Sequence, residues 1–504
     1  MPIYSSSFYF DIIEPAWKTL VVHMTLYTEK VIFNNELEYS ESELVKIEEE
    51  NHNYTRGYES EDEEESYGLE GLCLELIDLA IDLLERENVV KAVGDQLITL
   101  LLCLKGYSLM SNQTVSLWHH DPNLYITEEY NDENINTIRN KSVSLINDIS
   151  KQVEDSILLN FISILLSELN NKTSDKDNNI FNSGEIDPDN YEEVLKLDDY
   201  SFLIPYFDKM NTNSDYILRR KEANLLILGS LSDCLLSLKE KNKISTNDQE
   251  QLVTFLFDII SSHCNYIDLN KDNKTNAYQK GMISIILGRA LWCISRFISL
   301  FKDNSSFICK IFEGICMCLL DSYNKNDLSV QLAGIQALSQ ISEKLPNDIC
   351  SLSNSYNIDA NKLIENIFLK LLDIISNVSE DNVVIVIDCI IKLTKLNKDA
   401  SLIVPLKASK QIISIYSENY NHPYLGSKLI DLIKLWCEDE RSSKLMIHLF
   451  TPLAIHVFED FYNNNLKEDS IKQNSNFEEV KKTVMTEHGD GDVGIKASLD
   501  MLPV

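Results

Sequence analysis

Two adjacent histidines, His119 and His120, stand in the stretch "LWHHDPNLYITEEYNDE" (117–133), followed by Asp121 and by Glu128, Glu129, Asp132 and Glu133. Imidazoles and carboxylates this close in sequence could ligate a divalent metal or exchange protons with a substrate. A metal needs several donors converging on one point, whereas neighbouring residues on a helix point to different sides, so the pair does not make a site. Cys316 and Cys318 in "FEGICMCLL" (312–320) diverge for the same reason. His448 and His456 lie two helical turns apart and read as ordinary core or surface histidines. "GDGDVG" (489–494) fits G-x-G-x-x-G but lies too near the C-terminus to open a βαβ unit. "DKDNN" (175–179) and "DPDNYEE" (187–193) mimic the start of a calcium loop without its glycine and distal glutamate. P-loop, G-x-S-x-G, H-E-x-x-H and paired Cys-x-x-Cys patterns are missing. The expectation is therefore no catalytic residue, no metal and no cofactor: a binding protein, not an enzyme.

The chain's most pronounced chemistry is its charge. Its 504 residues hold 79 Asp+Glu against 45 Lys+Arg, a formal charge of −34. Such a chain repels nucleic acid and anionic lipid and attracts basic partners over a distance set by salt. The acids are clustered. Residues 36–65 hold 13 acids and 2 basic residues, and residues 172–200 hold 9 acids and 3 lysines. These segments, like the polar stretch 464–490, bury too little apolar surface to offset chain entropy, and read as acidic insertions and a flexible loop. The density at Glu59, Glu61, Asp62, Glu63, Glu64 and Glu65 marks a polyanion able to engage a polycation. Glu128, Glu129, Asp132 and Glu133 form a second acidic group. Elsewhere the excess acid reads as solubilising filler.

The elements that must position these acids are helices. Glycine (15) and proline (10) are scarce, which argues against β-sandwiches and glycine-loop enzymes. In "LEGLCLELIDLAIDLLERE" (69–87), Leu69, Leu72, Cys73, Leu76, Ala80, Leu83 and Leu84 recur at helical period. In 326–346, Val330, Ala333, Ala337, Leu338, Ile341 and Leu345 do so too, with Asp327 as N-cap and Pro346 as terminator. Helices are predicted over 12–32, 69–88, 89–110, 135–152, 155–170, 215–239, 248–264, 276–301, 305–322, 327–344, 360–376, 380–396, 402–418, 424–437 and 440–462. Every second one starts near 135, 216, 276, 327, 380 and 424, close to the ~40–47-residue period of two-helix repeats once insertions are allowed. Small residues (Ala223, Gly229; Gly288, Ala290; Ala333, Gly334, Ala337) fall where stacked helices must approach. The predicted fold is all-α: a HEAT-type solenoid, a superhelix of antiparallel helix pairs with acidic loop insertions. It runs over 1–463, with 464–490 a polar loop and 491–504 the start of a further repeat. An irregular helical domain is the alternative.

In this frame 117–133 is a linker. Leu117 and Trp118 close one helical turn, Asp121–Pro122 caps and starts a short helix, and Trp118 packs on Tyr125 or Ile126. Ile138, Arg139, Ser142 and Leu145 then open the next helix. The eleven dispersed cysteines read as reduced core residues. The N-terminal stretch lacks the features of a signal peptide, and no apolar run is expected to reach the ~18–20 residues of a membrane span.

Three segments, "LWHHDPNLYITEE" (117–129), "EANLLILGSL" (222–231) and "LGRALWCISRF" (287–297), resemble the middle repeats of the importin-β superfamily. The last of these, with the acidic loop upstream of residue 69, looks closest to the importin-nine branch. The resemblance implies a nuclear transport receptor that shuttles between cytoplasm and nucleus. Such a receptor carries basic cargo (core histones, ribosomal proteins), meets nucleoporins, and releases cargo on binding Ran-GTP. The amino-terminal repeats that carry most Ran contacts in the family have no counterpart before residue 12. "DVGIKASLDMLPV" (492–504) looks like the first turns of another repeat. The chain thus resembles the central portion of a receptor, and weak or absent Ran-GTP binding is expected of it as a monomer. The rival readings are a HEAT scaffold of a multiprotein complex and a histone chaperone without transport activity.

Overall fold

The computed structural model describes residues 6–33, 68–84, 89–90, 94, 97–130, 137–170, 213–245, 251–252, 254–256, 258, 277–301, 305–320, 327–344, 360–419 and 422–465. Among these every regular element is helical. The chain divides into two compact units, Met1–Phe301 and Lys302–Val504. The acidic insertions 36–65 and 172–200, the loop 464–490, the segment 491–504 and most of the helix predicted over 248–264 lie outside the described residues.

In the first unit, α1 (Ser6–Tyr27) ends in a π-helical turn, Thr28–Ile32, and is followed by α2 (Leu69–Leu84) and α3 (Leu97–Tyr107). Next come α4 (Asn112–His120), α5 (Pro122–Tyr130), α6 (Ile138–Gln152) and α7 (Asp155–Asn170). Then follow α8 (Ser214–Ser230), α9 (Ser232–Glu240) and α10 (Ala277–Arg296), with a closing 3₁₀ turn at Phe297–Phe301. Helices α1, α3, α8 and α10 pack in succession, while α2, α6, α9 and the 3₁₀ turn run as a second row against them. All eleven residues of α3 are buried, so this short helix is core on every side.

The second unit contains α11 (Ser305–Leu320), α12 (Leu328–Lys344), α13 (Ala360–Ile375), α14 (Glu380–Leu396) and the single turn α15 (Lys398–Ser401). It is completed by α16 (Ile403–Asn419), α17 (Pro423–Cys437) and α18 (Glu440–Asn465). Here α11, α13, α16 and α18 form one row and α12, α14 and α17 the other, with α11 on α12, α13 on α14 and α16 on α17. The core is apolar: Ile315, Leu338, Ile341, Phe368, Ile390 and Ile433 have 0% exposure.

Several predicted boundaries shift. Helix α1 begins at Ser6 rather than 12 and runs through Pro15, which removes one hydrogen bond without ending the helix. The predicted helix 215–239 breaks at Leu231, directly after Gly229 and Ser230. Ser230 Oγ donates back to the Leu226 carbonyl at 2.9 Å, a bond typical of helix bends. In α2 the buried residues are Cys73, Ile77, Leu83 and Leu84, while Leu72 is 43% exposed and Leu76 half-buried. Cys73, Leu83 and Leu84 are thus buried as predicted, while Ile77 takes the inward place expected of Leu76. At Gly229, one of the small residues expected at a helix contact, two helices do meet closely. A Cβ on Gly229 would lie 2.2 Å from the Trp292 ring, which is how α8 and α10 approach. Asp327 caps α12, its Oδ1 accepting from the Val330 amide at 3.1 Å. Against the expectation of no membrane-length run, Gly281–Phe301 is long and apolar enough to cross one. It is 83% buried inside the molecule, and core packing accounts for its composition.

Candidate functional site

Helix α8 brings three polar side chains into the interior of the first unit, on a sequence ("RRKEANLL") that mixes charges with aliphatic residues. Arg219, Glu222 and Asn224 all have 0% exposure. Groups this deep must be paired, and the pairs join distant elements.

The largest cluster centres on Glu222. Its Oε1 accepts from Arg139 Nη2 of α6 at 2.7 Å and from Arg289 Nε of α10 at 2.8 Å. Arg139 Nη1 donates to the Ser108 carbonyl at 2.8 Å. Arg289 Nη2 reaches Glu129 of α5 and lies 3.5 Å from the Tyr125 hydroxyl, and its guanidinium sits 5.3 Å over the Trp292 ring. Two arginines and two glutamates thus cancel in charge while tying α5, α6, α8 and α10 together. Burial pushes the Glu222 carboxyl up, but the two guanidinium groups outweigh it and hold the carboxyl below its ordinary value.

Two neighbouring clusters use the same helix. Glu168 of α7 accepts from Lys105 Nζ at 2.6 Å and from Asn224 Nδ2 at 2.7 Å. Burial pulls the Lys105 ammonium below its ordinary value, and the Glu168 carboxylate opposes this only in part. Arg219 donates to the Ile32 carbonyl at 3.1 Å, to the Met110 carbonyl at 2.6 Å and to Asn112, and stacks 4.8 Å over Phe33. It so holds the π-helical turn after α1 against the α3–α4 link. In the second unit Asp388 of α14 accepts from Ser339 of α12 at 3.0 Å, Lys392 at 2.9 Å and Lys428 of α17 at 2.5 Å. Lys392 also pairs with Glu343 at 3.1 Å.

These arrangements tie distant helices together. None of the nine described cysteines forms a disulfide, and seven are buried. Burial pushes even the half-buried Cys437 thiol up to about 11, far from a reactive thiolate. Among the described residues no three His, Cys, Asp or Glu side chains gather as a metal site.

The stretch 117–130 is the predicted capped linker. Asp121 Oδ1 accepts from the Leu124 amide at 3.0 Å, and Trp118 meets Tyr125 edge-on with ring centroids 4.7 Å apart. Of the acids named for cargo contact, Glu128 is exposed, and slight burial and the Asp121 charge push its carboxyl up. Glu129 is turned inward onto Arg289, which removes it from the exposed acidic group. Glu59, Glu61, Asp62, Glu63, Glu64, Glu65, Asp132 and Glu133 lie outside the described residues. Sequence reasoning missed Arg139, Arg219, Glu222 and Arg289 as organising residues. The available signal was a charge in mid-run among aliphatic residues, as in "EANLLILGSL" and "LGRALW". The three segments singled out by resemblance converge here: one supplies Glu129 and Trp118, one Glu222 and Gly229, one Arg289 and Trp292. No protein-family model matches the chain, and no curated protein is similar to it at a significant level.

Proposed function

We propose that this chain is a HEAT-type helical-repeat segment of an importin-like nuclear transport receptor that binds basic protein cargo, such as core histones or ribosomal proteins. The observation that carries the reading is where the charge lies. Counting Lys and Arg against Asp and Glu, the described residues hold −7 of the formal −34 and the remaining residues hold −27. Most of the excess acid therefore lies outside the described helices, and 36–65 alone holds 13 acids against 2 basic residues. Two features support the repeat reading: two rows of helices, each touching the next in its row, and pairing across the rows in the second unit. The convergence of the three importin-like segments on one buried cluster supports the family reading.

The mechanism is association. Clustered carboxylates raise the encounter rate with a polycation and disfavour acidic partners, and apolar side chains on the helices supply the lasting contacts. In a receptor of this kind, Ran-GTP binding drives release.

The test is the association rate of the full chain with a core-histone dimer at two salt concentrations. It is repeated with Glu59, Glu61, Glu63, Glu64 and Glu65 changed to glutamine and Asp62 to asparagine. The expected result is measurable binding whose rate falls with salt, and a variant about ten-fold slower at low salt with a flatter salt slope. No association at low salt would overturn the reading. Identical rates and slopes for both proteins would remove 59–65 from it.

A further inference from the structure

Helix α5 is attached to the body unlike its neighbours. It is a nine-residue helix set off by Asp121, whose backbone (φ −138°, ψ 80°) breaks it from α4. Among the described helices its substantial packing is with α4 alone, whereas α8 packs on five others. Its inward face consists of Tyr125 and Ile126, both buried, and Glu129, one turn further on, which binds Arg289. Arg289 has a second acidic partner, Glu222, on its Nε. When Glu129 leaves, Arg289 therefore still shares the Glu222 carboxylate with Arg139, and the α6–α8–α10 cluster keeps its Arg139–Glu222–Arg289 contacts.

We infer that α5 is a strap, latched by Glu129 on Arg289, that opens as a unit while the rest of the first unit stays folded, and that a basic partner draws it open by taking Glu129 over from Arg289. The partner half of this inference rests on the proposed binding of basic cargo; the strap itself does not. Closed, the strap withholds one carboxylate from the exposed Glu128 edge. Open, it presents Glu129 there, so a cation that binds only the open form shifts the equilibrium towards it by its differential affinity.

Native-state hydrogen exchange on the full chain tests both halves. In the wild type, amides 124–130 are expected to exchange by local opening, insensitive to low denaturant, while those of α8 and α10 exchange by an opening that denaturant promotes. Glu129→Gln should speed exchange over 124–130 by about ten- to a hundred-fold, the range for losing a charged hydrogen bond, and leave α8 and α10 unchanged. Equal protection and equal denaturant dependence of α5 and α8 in the wild type would overturn the strap. So would a Glu129→Gln effect that is absent or that spreads equally over α8 and α10. Polylysine at low salt should speed exchange over 124–130 in the wild type. Polylysine that binds without doing so overturns the takeover of Glu129. Polylysine that does not bind at all sinks the basic-cargo reading and the takeover with it, while the exchange pattern still decides the strap.

Discussion

Replacing Glu222 by glutamine removes the one carboxylate that Arg139 and Arg289 share. The carboxylate is fully buried and lies 2.7 and 2.8 Å from the two guanidinium nitrogens. A glutamine oxygen can still accept a hydrogen bond, but it leaves two buried cations with Glu129 as the remaining carboxylate of the cluster. Breaking a buried ion pair by removing one member costs about 3–5 kcal/mol, and the retained acceptor places this change near the lower end. With a urea slope of ~2–3 kcal/mol/M, the midpoint should fall by about 1 M with the slope unchanged. Tryptophan fluorescence reads the loss directly, because Trp17, Trp118 and Trp292 lie in the first unit and only Trp436 in the second. Arg139→Met and the double variant complete a cycle, in which a shared partner should give a coupling energy of about 0.5–3 kcal/mol. A midpoint shift worth less than ~1 kcal/mol, or strictly additive single effects, would refute the claim that Glu222 organises this interior.

Gly229→Ala should destabilise the first unit by about 1–3 kcal/mol, because the new methyl meets the Trp292 ring; adding Trp292→Leu should restore much of the loss in thermal unfolding. Asp327→Ala should cost the second unit about 1 kcal/mol in denaturant unfolding through loss of the α12 cap. Glu222 is held below its ordinary value of 4.5 in the folded chain. Its stabilisation is therefore fully present above that value and is lost as pH falls through the folded one; urea midpoints taken from pH 6 downwards should show a fall that is smaller in Glu222→Gln.

The helices were largely legible because their signals are local. Period-3.6 apolar positions and caps such as Asp327 and Asp121 act within one or two turns, and the observed spans follow them closely. Which face of a helix turns inward is less local. Helix α2 has apolar residues on most of its circumference, and its packing on α1 and α6 selects Ile77 over Leu76 and leaves Leu72 outside. The buried charges were least legible. Glu222 meets Arg139 from 83 residues away and Arg289 from 67. The aliphatic run around each marks the charge as unusual, but nothing in that window says which distant charge it meets. Glu129 shows the consequence: beside Glu128 it reads as one of two surface acids, yet neighbouring helix positions face different ways, and only Glu129 falls in line with Tyr125 and Ile126.

The division of charge also bears on how such a protein tolerates its own acidity. A net −34 confined to a compact body would oppose folding by self-repulsion. The described helices avoid this by pairing: the Glu222 and Asp388 clusters each hold carboxylates against two cations, and the described residues together carry only −7. Buried pairs of this kind contribute little net stability compared with apolar replacements, but they fix register, because a slipped helix would leave an unpaired charge inside. On the proposed reading, the acid of 36–65 and 172–200 adds long-range field without entering that balance. The two populations of carboxylate should therefore answer differently to mutation. Changes at Glu222 or Asp388 act on unfolding and leave the salt dependence of cation binding alone, while changes at 59–65 act on binding and leave unfolding alone. A single acid that moved both together would break this separation, and Glu129, which the strap carries between interior and edge, is the residue at which to look for it.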